Sequence, residues 1–220
     1  GIYPENRIIQ AMDIALRFLQ KQEYNPLIRI AVFHYLFAYI HPFYDGNGRM
    51  TRFISSYFLS RELCPLVGLK LSSAIKAEQS KYNKLFKETN EKRNMGDLTG
   101  FILGFLRFVS KSIDEIYDFL TETKVLWERT KRILSKHHKI PKRNDALLIL
   151  CQNALFSESG LTIHDLVQIT GKSRSTIDHE LDIYVKDWKV LNAARKGRWI
   201  VYRLDMNKLL DYLSQDSDDM

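Results

Sequence analysis

The sequence predicts a mainly α-helical protein in two parts: an all-helical first part and a small second part of helices and a β-hairpin. Two observations support this fold class. Apolar residues recur at helical spacing along most of residues 1–138. After the polar stretch 139–143 the pattern changes to three short helices and two short β-rich stretches. We therefore predict a domain at 1–138, a linker at 139–143, a second domain at 144–213 and a disordered acidic tail at 214–220.

In the first part, the pattern predicts a helix over residues 5–20 and a second helix that begins after Asn25. Asn25 is a suitable N-cap and Pro26 suits the first helical turn. This second helix is apolar on nearly every side, which is typical of a buried central helix, and Pro42 ends it. Further helices are predicted at 48–61, at 73–91 and, with Asp97 as its cap, from there to about 136.

In the second part, Asn144 opens a short helix, and Thr162 caps the next one with Asp165 in the manner of a capping box. Gly171 ends that helix and Ser173 caps the third. Two β-rich stretches, 189–194 and 198–204, follow with a turn at 195–198. The order of three helices and a hairpin resembles a winged helix-turn-helix domain.

The composition limits the cellular compartments and the binding partners that fit this chain. No apolar run approaches the roughly 20 residues that span a bilayer, and no signal peptide is visible, so we predict a cytoplasmic protein without a membrane partner. The two cysteines, Cys64 and Cys151, have no metal-ligand spacing and are predicted to be buried free thiols. The net charge of +7 is uneven: residues 1–140 carry +8 and residues 141–220 carry −1.

The segment HPFYDGNGRMTR, residues 41–52, combines groups that would bind a nucleotide. Gly46, Asn47 and Gly48 precede a helix, where inward-facing N–H groups and the helix dipole favour a phosphate. Arg49 and Arg52 share one helix face, and their guanidinium groups would bind further phosphate oxygens. Asp45 offers a hard oxygen ligand that suits Mg²⁺, and His41 is a candidate general base.

Each of these features also has a structural explanation when taken alone. A histidine at a helix end is usually a capping or core residue, two arginines at this spacing usually form a solvated face, and a Gly-Asn-Gly sequence is usually only a turn. Phe43 is expected to anchor the loop in the core rather than to touch a ligand.

The ordered set matches the Fic family signature H-P-F-x-[D/E]-G-N-G-R-x-x-R at every specified position, and the chain resembles that family over about residues 4–136. The resemblance implies an all-helical Fic fold that carries this loop between two central helices. It also implies transfer of AMP from ATP, with Mg²⁺, to a Tyr, Thr or Ser hydroxyl of a target protein. The roles that it implies are as follows: His41 as the base, Asp45 as the metal ligand, Gly46, Asn47 and Gly48 as the phosphate cradle, and Arg49 and Arg52 on the outer phosphates.

Two alternatives stay open. The family also contains members that transfer other nucleotide or phosphodiester groups. A protein of a different class, a DNA-binding regulator whose first domain only senses a nucleotide, is also compatible with the second part. In the second part, however, the helix that would enter a DNA groove is acidic, with two basic and four acidic residues over 174–187, and negative charge disfavours binding to DNA phosphates. The competing role for that domain is protein docking or homodimerisation.

Overall fold

The computed structural model describes residues 1–136, 145–157 and 159–215. The chain divides into two compact units, Gly1–Phe119 and Leu120–Met220, with the division inside a long helix. The linker predicted at 139–143 and the last residues of the predicted tail lie outside the described residues. Within the described residues, no helix has the length and apolarity that crossing a bilayer requires.

The first unit is all-helical, as predicted. Its core is an apolar cluster around α2, in which Phe33, Phe101 and Phe105 are fully buried. Burial of such aromatic side chains supplies much of the driving force for folding. The elements are α1 (Glu5–Leu19), α2 (Pro26–Ile40), α3 (Asn47–Glu62), α4 (Pro65–Ala77), α5 (Gln79–Thr89), a 3₁₀ turn (Lys92–Asn94) and the first part of α6 (Thr99–Lys136), which continues into the second unit.

Local sequence signals start these helices as predicted. The Asn25 side chain accepts a hydrogen bond of 2.9 Å from the Leu27 N–H at the start of α2. Asp97 accepts one of 2.8 Å from the Thr99 N–H at the start of α6. Each bond satisfies a first-turn donor that has no intrahelical partner.

The single helix predicted over 73–91 is wrong, because two helices occupy this region. The first, α4, starts at Pro65, whose fixed φ suits the first helical position. The break falls at Glu78, whose φ of −127° and ψ of 42° are not helical. Glu78 pairs there with Lys81 at 2.5 Å and with Lys111 of α6. These ion pairs hold the pKa of Glu78 at about 2, with the bond from Lys111 as the largest cause.

The second unit contains a small antiparallel sheet beside its helices. The predicted capping box is present, with the Asp165 N–H donating to Thr162 and the Thr162 N–H donating to Asp165. Ile177, Leu181 and Tyr184 are buried in its core. Its elements are α7 (Asp145–Phe156), β1 (Leu161–Thr162), α8 (Ile163–Thr170), α9 (Arg174–Asp182), a π-helical turn (Ile183–Asp187), β2 (Leu191–Lys196), β3 (Trp199–Leu204) and α10 (Met206–Gln215), and the strand order is β1-β3-β2.

Three details of this unit differ from the sequence prediction. The hairpin turn is shorter than 195–198: Lys196 pairs with Trp199, so only two residues connect the strands, and Gly197 supplies the positive φ of 62° that such a turn needs. The short strand β1 and helix α10 were not predicted. Because α10 continues to Gln215, the predicted tail begins at least two residues too early.

Of the two free cysteines, Cys151 is buried as predicted, whereas Cys64 is half-buried.

Candidate active site

The predicted loop joins α2 to α3, as the sequence indicated. His41 lies at the end of α2 in the left-handed region, with a φ of 58° and a ψ of 59°, and its N–H donates to the Phe37 carbonyl at 3.0 Å. This conformation is uncommon for a residue other than glycine, so the chain turns sharply at His41. Gly46, with a φ of 81°, makes the second turn and leads into α3. His41 is exposed to solvent.

The side chain of Asn47 closes the loop on itself. Its amide nitrogen donates to the Phe43 carbonyl at 2.5 Å, and its amide oxygen accepts from the Phe43 N–H at 3.0 Å. Only 3% of Asn47 is exposed. The Asn47 amide therefore holds the loop in shape, and what this residue can offer to a phosphate is its backbone N–H in the first turn of α3.

Phe43 does not anchor the loop in the core, contrary to the prediction. Its ring centroid lies 6.2 Å from that of Phe37, but 51% of the residue is exposed. Together with Tyr44, Met50 and Phe53 it lines an open cavity of about 450 Å³ that also reaches Asp45, Gly46 and Arg49. The paired hydrogen bonds of Asn47 fix the loop, so deep burial of Phe43 is not needed.

The two predicted phosphate-binding arginines meet at a larger cavity between α3 and α4, which we call the α3–α4 cavity. Its volume is about 760 Å³, within the range of small-molecule sites. Three cations, Arg49, Arg52 and Lys76, line it together with uncharged side chains. The uncharged residues of its wall are Phe53, Ser56, Tyr57, Ser60, Gly68, Leu69, Ser72, Ile75 and Gln79.

Asp45 stands at the solvent-exposed edge of the loop. One carboxylate oxygen accepts a hydrogen bond of 2.6 Å from the Gly46 N–H, and the other lies 3.3 Å from Arg49 Nη2. Among the described residues, no three His, Cys, Asp or Glu side chains cluster in a way that would hold a metal ion by themselves. One exposed carboxylate still suits Mg²⁺, which keeps several waters and takes phosphate oxygens as its other ligands.

The structure does not bring all predicted site residues to one cavity. Arg49 lines both cavities, Arg52 lines the larger one, and Asp45 and Gly46 line the smaller one. His41 lines neither of them. His41 is exposed, so its imidazole is accessible to a group that arrives from solvent.

Sequence analysis missed the residues that surround the arginines. The far wall of the α3–α4 cavity belongs mainly to α4, whose residues 65–72 were not predicted to be helical. Sequence analysis also missed a buried pair, His34 and Tyr82, whose Nε2 and hydroxyl oxygen lie 2.8 Å apart; the sequence signal was a histidine within a mostly apolar helix. Burial above all, and then the charge of Arg52, lower the pKa of His34 to about 3, so it is neutral at physiological pH.

Fold and loop together define a helical domain in which a glycine-containing turn and two arginines lie between α2 and α4. Residues 2–59 match the family model of the Fic/DOC family. This match supports the resemblance seen in the sequence for that part of the chain. The second unit's resemblance to a winged helix stays a prediction.

Curated relatives named as adenylyltransferases align with part of this chain. "Protein adenylyltransferase Fic" of Nematostella vectensis is 31% identical over 120 residues, which cover 54% of this chain and 26% of that protein. The protein of the same name from Drosophila grimshawi is 30% identical over 111 residues, covering 50% of this chain and 20% of that protein. The chain thus aligns with only about a quarter or less of these relatives' length. A Fic family protein from Desulfovibrio desulfuricans G20 aligns with 92% of this chain and 56% of its own, at 24% identity and a TM-score of 0.49.

Proposed function

We propose that this protein transfers AMP from ATP to a hydroxyl side chain of a target protein. The observation that carries the proposal is the α3–α4 cavity, at which both arginines of the loop and Lys76 meet with no acidic residue in the described wall. Such a wall attracts a polyphosphate, and the uncharged remainder can accommodate a nucleoside. The relatives named as protein adenylyltransferases support the same chemistry for their shared domain.

The proposed reaction is a displacement at the α-phosphorus of ATP. The acceptor oxygen forms a bond to that phosphorus, its proton passes to His41, the bond to the β-phosphate oxygen breaks, and pyrophosphate leaves. Arg49 and Arg52 hold the outer phosphates, and the first-turn N–H groups of α3 hold oxygens nearer the reacting centre. Positioning and charge stabilisation by these groups supply most of the rate.

Mg²⁺ fits this arrangement at Asp45, where it would neutralise part of the charge on the phosphates. The carboxylate is exposed, and within the described residues its second oxygen is paired with Arg49 alone, at 3.3 Å. Arg49 would exchange this partner for a phosphate when nucleotide and metal bind.

The test uses ATP labelled at the α-phosphate and, in parallel, at the γ-phosphate. The protein is incubated with Mg²⁺, a cell lysate and each label, and the proteins are separated on a denaturing gel. AMP transfer predicts bands with the α label alone, on a target or on the protein itself. Bands with the γ label would indicate phosphorylation instead, and stronger labelling from α-labelled GTP, CTP or UTP than from α-labelled ATP would identify another donor nucleotide.

Matched histidine variants make this test specific. His41→Ala should give no labelled band, whereas His164→Ala, which changes an exposed histidine of the second unit, should label like the wild type. If the wild-type protein binds ATP but labels nothing, and duplex DNA binding changes with ATP, the alternative of a nucleotide-sensing DNA regulator replaces the proposal.

For the second unit we propose a winged-helix module that docks protein, including a second copy of this chain, rather than one that reads DNA. Exposed Asp178 and Asp182 lie on α9, the helix that would enter a DNA groove, and Arg174 lies 3.9 Å from Asp178. DNA binding would have to rely on Arg195, Lys196 and Arg198 of the hairpin. Self-association in sedimentation experiments that salt hardly affects supports docking, whereas duplex binding with a steep salt dependence would overturn it.

A further inference from the structure

A small cavity of the first unit lies at the end of α3 that is opposite to the loop. Its volume is about 270 Å³, and the end of α1, the start of α2 and the end of α3 surround it, so we call it the α1–α2–α3 cavity. Arg61, in the last turn of α3, is about 20 Å from Gly48 at the rise of an α-helix. The cavity is therefore separate from the proposed nucleotide site. The polar side chains of its wall belong to Gln20, Gln22, Arg29, Arg61 and Glu62.

Arg29 is a buried cation in this wall. It lies in the first turn of α2, and only 9% of the residue is exposed. Its Nη1 donates to the Leu19 carbonyl at 2.7 Å, which is the one hydrogen bond that the guanidinium makes with the described residues. Its buried Nε has no partner. In the described part of the chain, no carboxylate forms an ion pair with Arg29.

A buried charge without a counterion is costly, and proteins seldom contain one. An arginine keeps its charge at every physiological pH, so Arg29 cannot avoid this cost by losing its proton. The bond to Leu19 gives Arg29 a structural role at the end of α1, but a carbonyl oxygen carries only a partial charge and does not neutralise the guanidinium. An anion in the cavity would supply the missing charge together with oxygen acceptors for the remaining N–H groups.

The rest of the wall indicates the size and charge of such an anion. Arg61 is exposed, and its Nη1 lies 3.3 Å from the Tyr57 hydroxyl, which holds it beside α3. Exposed Glu62 opposes an anion, so the two arginines and this one acid leave a net charge of +1 in the wall. The volume is below the range of about 300–1,000 Å³ that is usual for drug-sized ligands. A small ion therefore fits better than a nucleotide.

We propose that the α1–α2–α3 cavity binds a small oxyanion of the phosphate type, with Arg29 as its buried contact and Arg61 as its contact on the exposed side. Glu62 weakens the binding through its negative charge. A bound anion would connect α1, α2 and α3 and stabilise the first unit. The site does not depend on the proposed function, because neither arginine belongs to the loop or to the α3–α4 cavity.

Nuclear magnetic resonance tests the site directly, with inorganic phosphate as the probe. In the full chain labelled with ¹⁵N-arginine, the Nε–H signals of Arg29 and Arg61 are assigned with Arg29→Lys and Arg61→Lys. Sodium phosphate at neutral pH should shift both signals along a curve that saturates, and sodium chloride at equal ionic strength should not. The Nε–H signal of Arg107, an exposed arginine on α6 of the same unit, should stay unchanged.

Two variants of exposed residues test the assigned roles without disturbing the buried arginine. Arg61→Ala should weaken phosphate binding, followed on the Arg29 signal, by about tenfold, because one charge-assisted contact is lost. Glu62→Gln should tighten it by up to about fivefold, because it removes an opposing charge at an exposed position. Arg107→Ala is the matched control and should bind phosphate as the wild type does.

Three results would overturn the proposal. The first is that phosphate leaves the Arg29 and Arg61 signals unshifted. The second is that it shifts only the signals of Arg49 and Arg52, which would place the anion at the loop. The third is that chloride at equal ionic strength shifts the Arg29 signal as much as phosphate does, which would show general screening. No nucleotide is present, so none of these results decides the proposed function.

Discussion

Asp45 and Arg49, which the sequence assigns to a metal ion and to a phosphate, are ion-paired with each other at 3.3 Å across the first turn of α3. Both side chains are largely exposed, at 93% and 78%. Exposed pairs of this kind contribute little stability, about 0–1 kcal/mol. The pair can therefore open without much cost when a nucleotide and its metal ion arrive, and it neutralises two opposite charges until then.

From this pair we predict two effects of Asp45→Asn, one on ATP binding without Mg²⁺ and one on the Mg²⁺ that transfer requires. Without Mg²⁺, the variant should bind ATP more tightly than the wild type, because Arg49 is released and one negative charge near the phosphates is removed. With Mg²⁺, transfer should require about tenfold more metal, the loss that even an indirect metal partner causes. Calorimetry with EDTA and a Mg²⁺ titration of transfer measure the two effects.

Asp114→Asn is the control for this experiment, since Asp114 is an exposed aspartate on α6 of the same unit. It should match the wild type in both measurements. Equal Mg²⁺ requirements for Asp45→Asn and the wild type would show that Asp45 is not a metal ligand.

A second prediction concerns His41. We expect His41→Ala to reduce AMP transfer by at least about a hundredfold, the usual contribution of a positioned base. ATP affinity should change by less than about threefold, because His41 lines neither cavity. Quantified α-label incorporation gives the first value and calorimetry the second. A large loss of ATP binding would instead mean that His41 shapes the nucleotide site.

The fold was predictable where a local signal fixes it. Three predicted N-caps are confirmed: Asn25, Thr162 and Ser173. Each accepts a hydrogen bond from a backbone N–H only two or three residues further along the chain. The break between α4 and α5 was not predictable, because Glu78 is held partly by Lys111, 33 residues further on. Side-chain chemistry in sequence order does not show such a tertiary contact.

The same limit applies to the candidate site. The loop residues are adjacent in sequence, so their chemistry could be inferred directly, although the roles of His41 and the arginines stay predictions. The partners of His34 lie 21 and 48 residues away, and neither Ser55 nor Tyr82 has a distinctive sequence context. Phe43 was misjudged for the opposite reason: the Asn47 amide already fixes the loop through Phe43's backbone, which leaves its ring half-exposed.

His34 gives the third prediction, on stability and pH. Its pKa is lowered to about 3 by burial and by Arg52, whereas an unfolded histidine titrates near ~6.5. Between these values the unfolded chain binds a proton that the native protein does not, so the free energy of unfolding falls as the pH falls. From pH 7 to pH 5 the loss from His34 should be about 2 kcal/mol.

Urea unfolding followed by far-ultraviolet circular dichroism at both pH values measures this loss. His34→Gln should show a pH dependence smaller by about 2 kcal/mol, and His41→Ala, which changes an exposed histidine, should retain the wild-type dependence. An NMR titration provides a check that needs no variant: the His34 ring should stay neutral at pH 5. A protonated ring at that pH would contradict the full burial of His34 between the Ser55 and Tyr82 hydroxyls.

The fourth prediction concerns Gly68, where α4 packs tightly against Ser56 and Ser60 of α3. A Cβ atom at this position would lie 2.0 Å from Ser60 Oγ and 2.3 Å from the Ser56 carbonyl oxygen. The serine side chain can rotate away, but the backbone oxygen cannot, so Gly68→Ala has to push the two helices apart. We expect a loss of about 1–3 kcal/mol in unfolding free energy. Because Gly68 also lines the α3–α4 cavity, ATP affinity should fall as well.

Gly100→Ala is the matched control, because a Cβ atom at Gly100 meets nothing within 4 Å and the residue lies in α6. Alanine favours a helix over glycine by up to about 1 kcal/mol, so this variant should be as stable as the wild type or slightly more stable, with unchanged ATP affinity. Urea unfolding and ATP titration of both variants give the comparison. If Gly68→Ala lost stability but bound ATP normally, the nucleotide would have to occupy a place other than the space between α3 and α4.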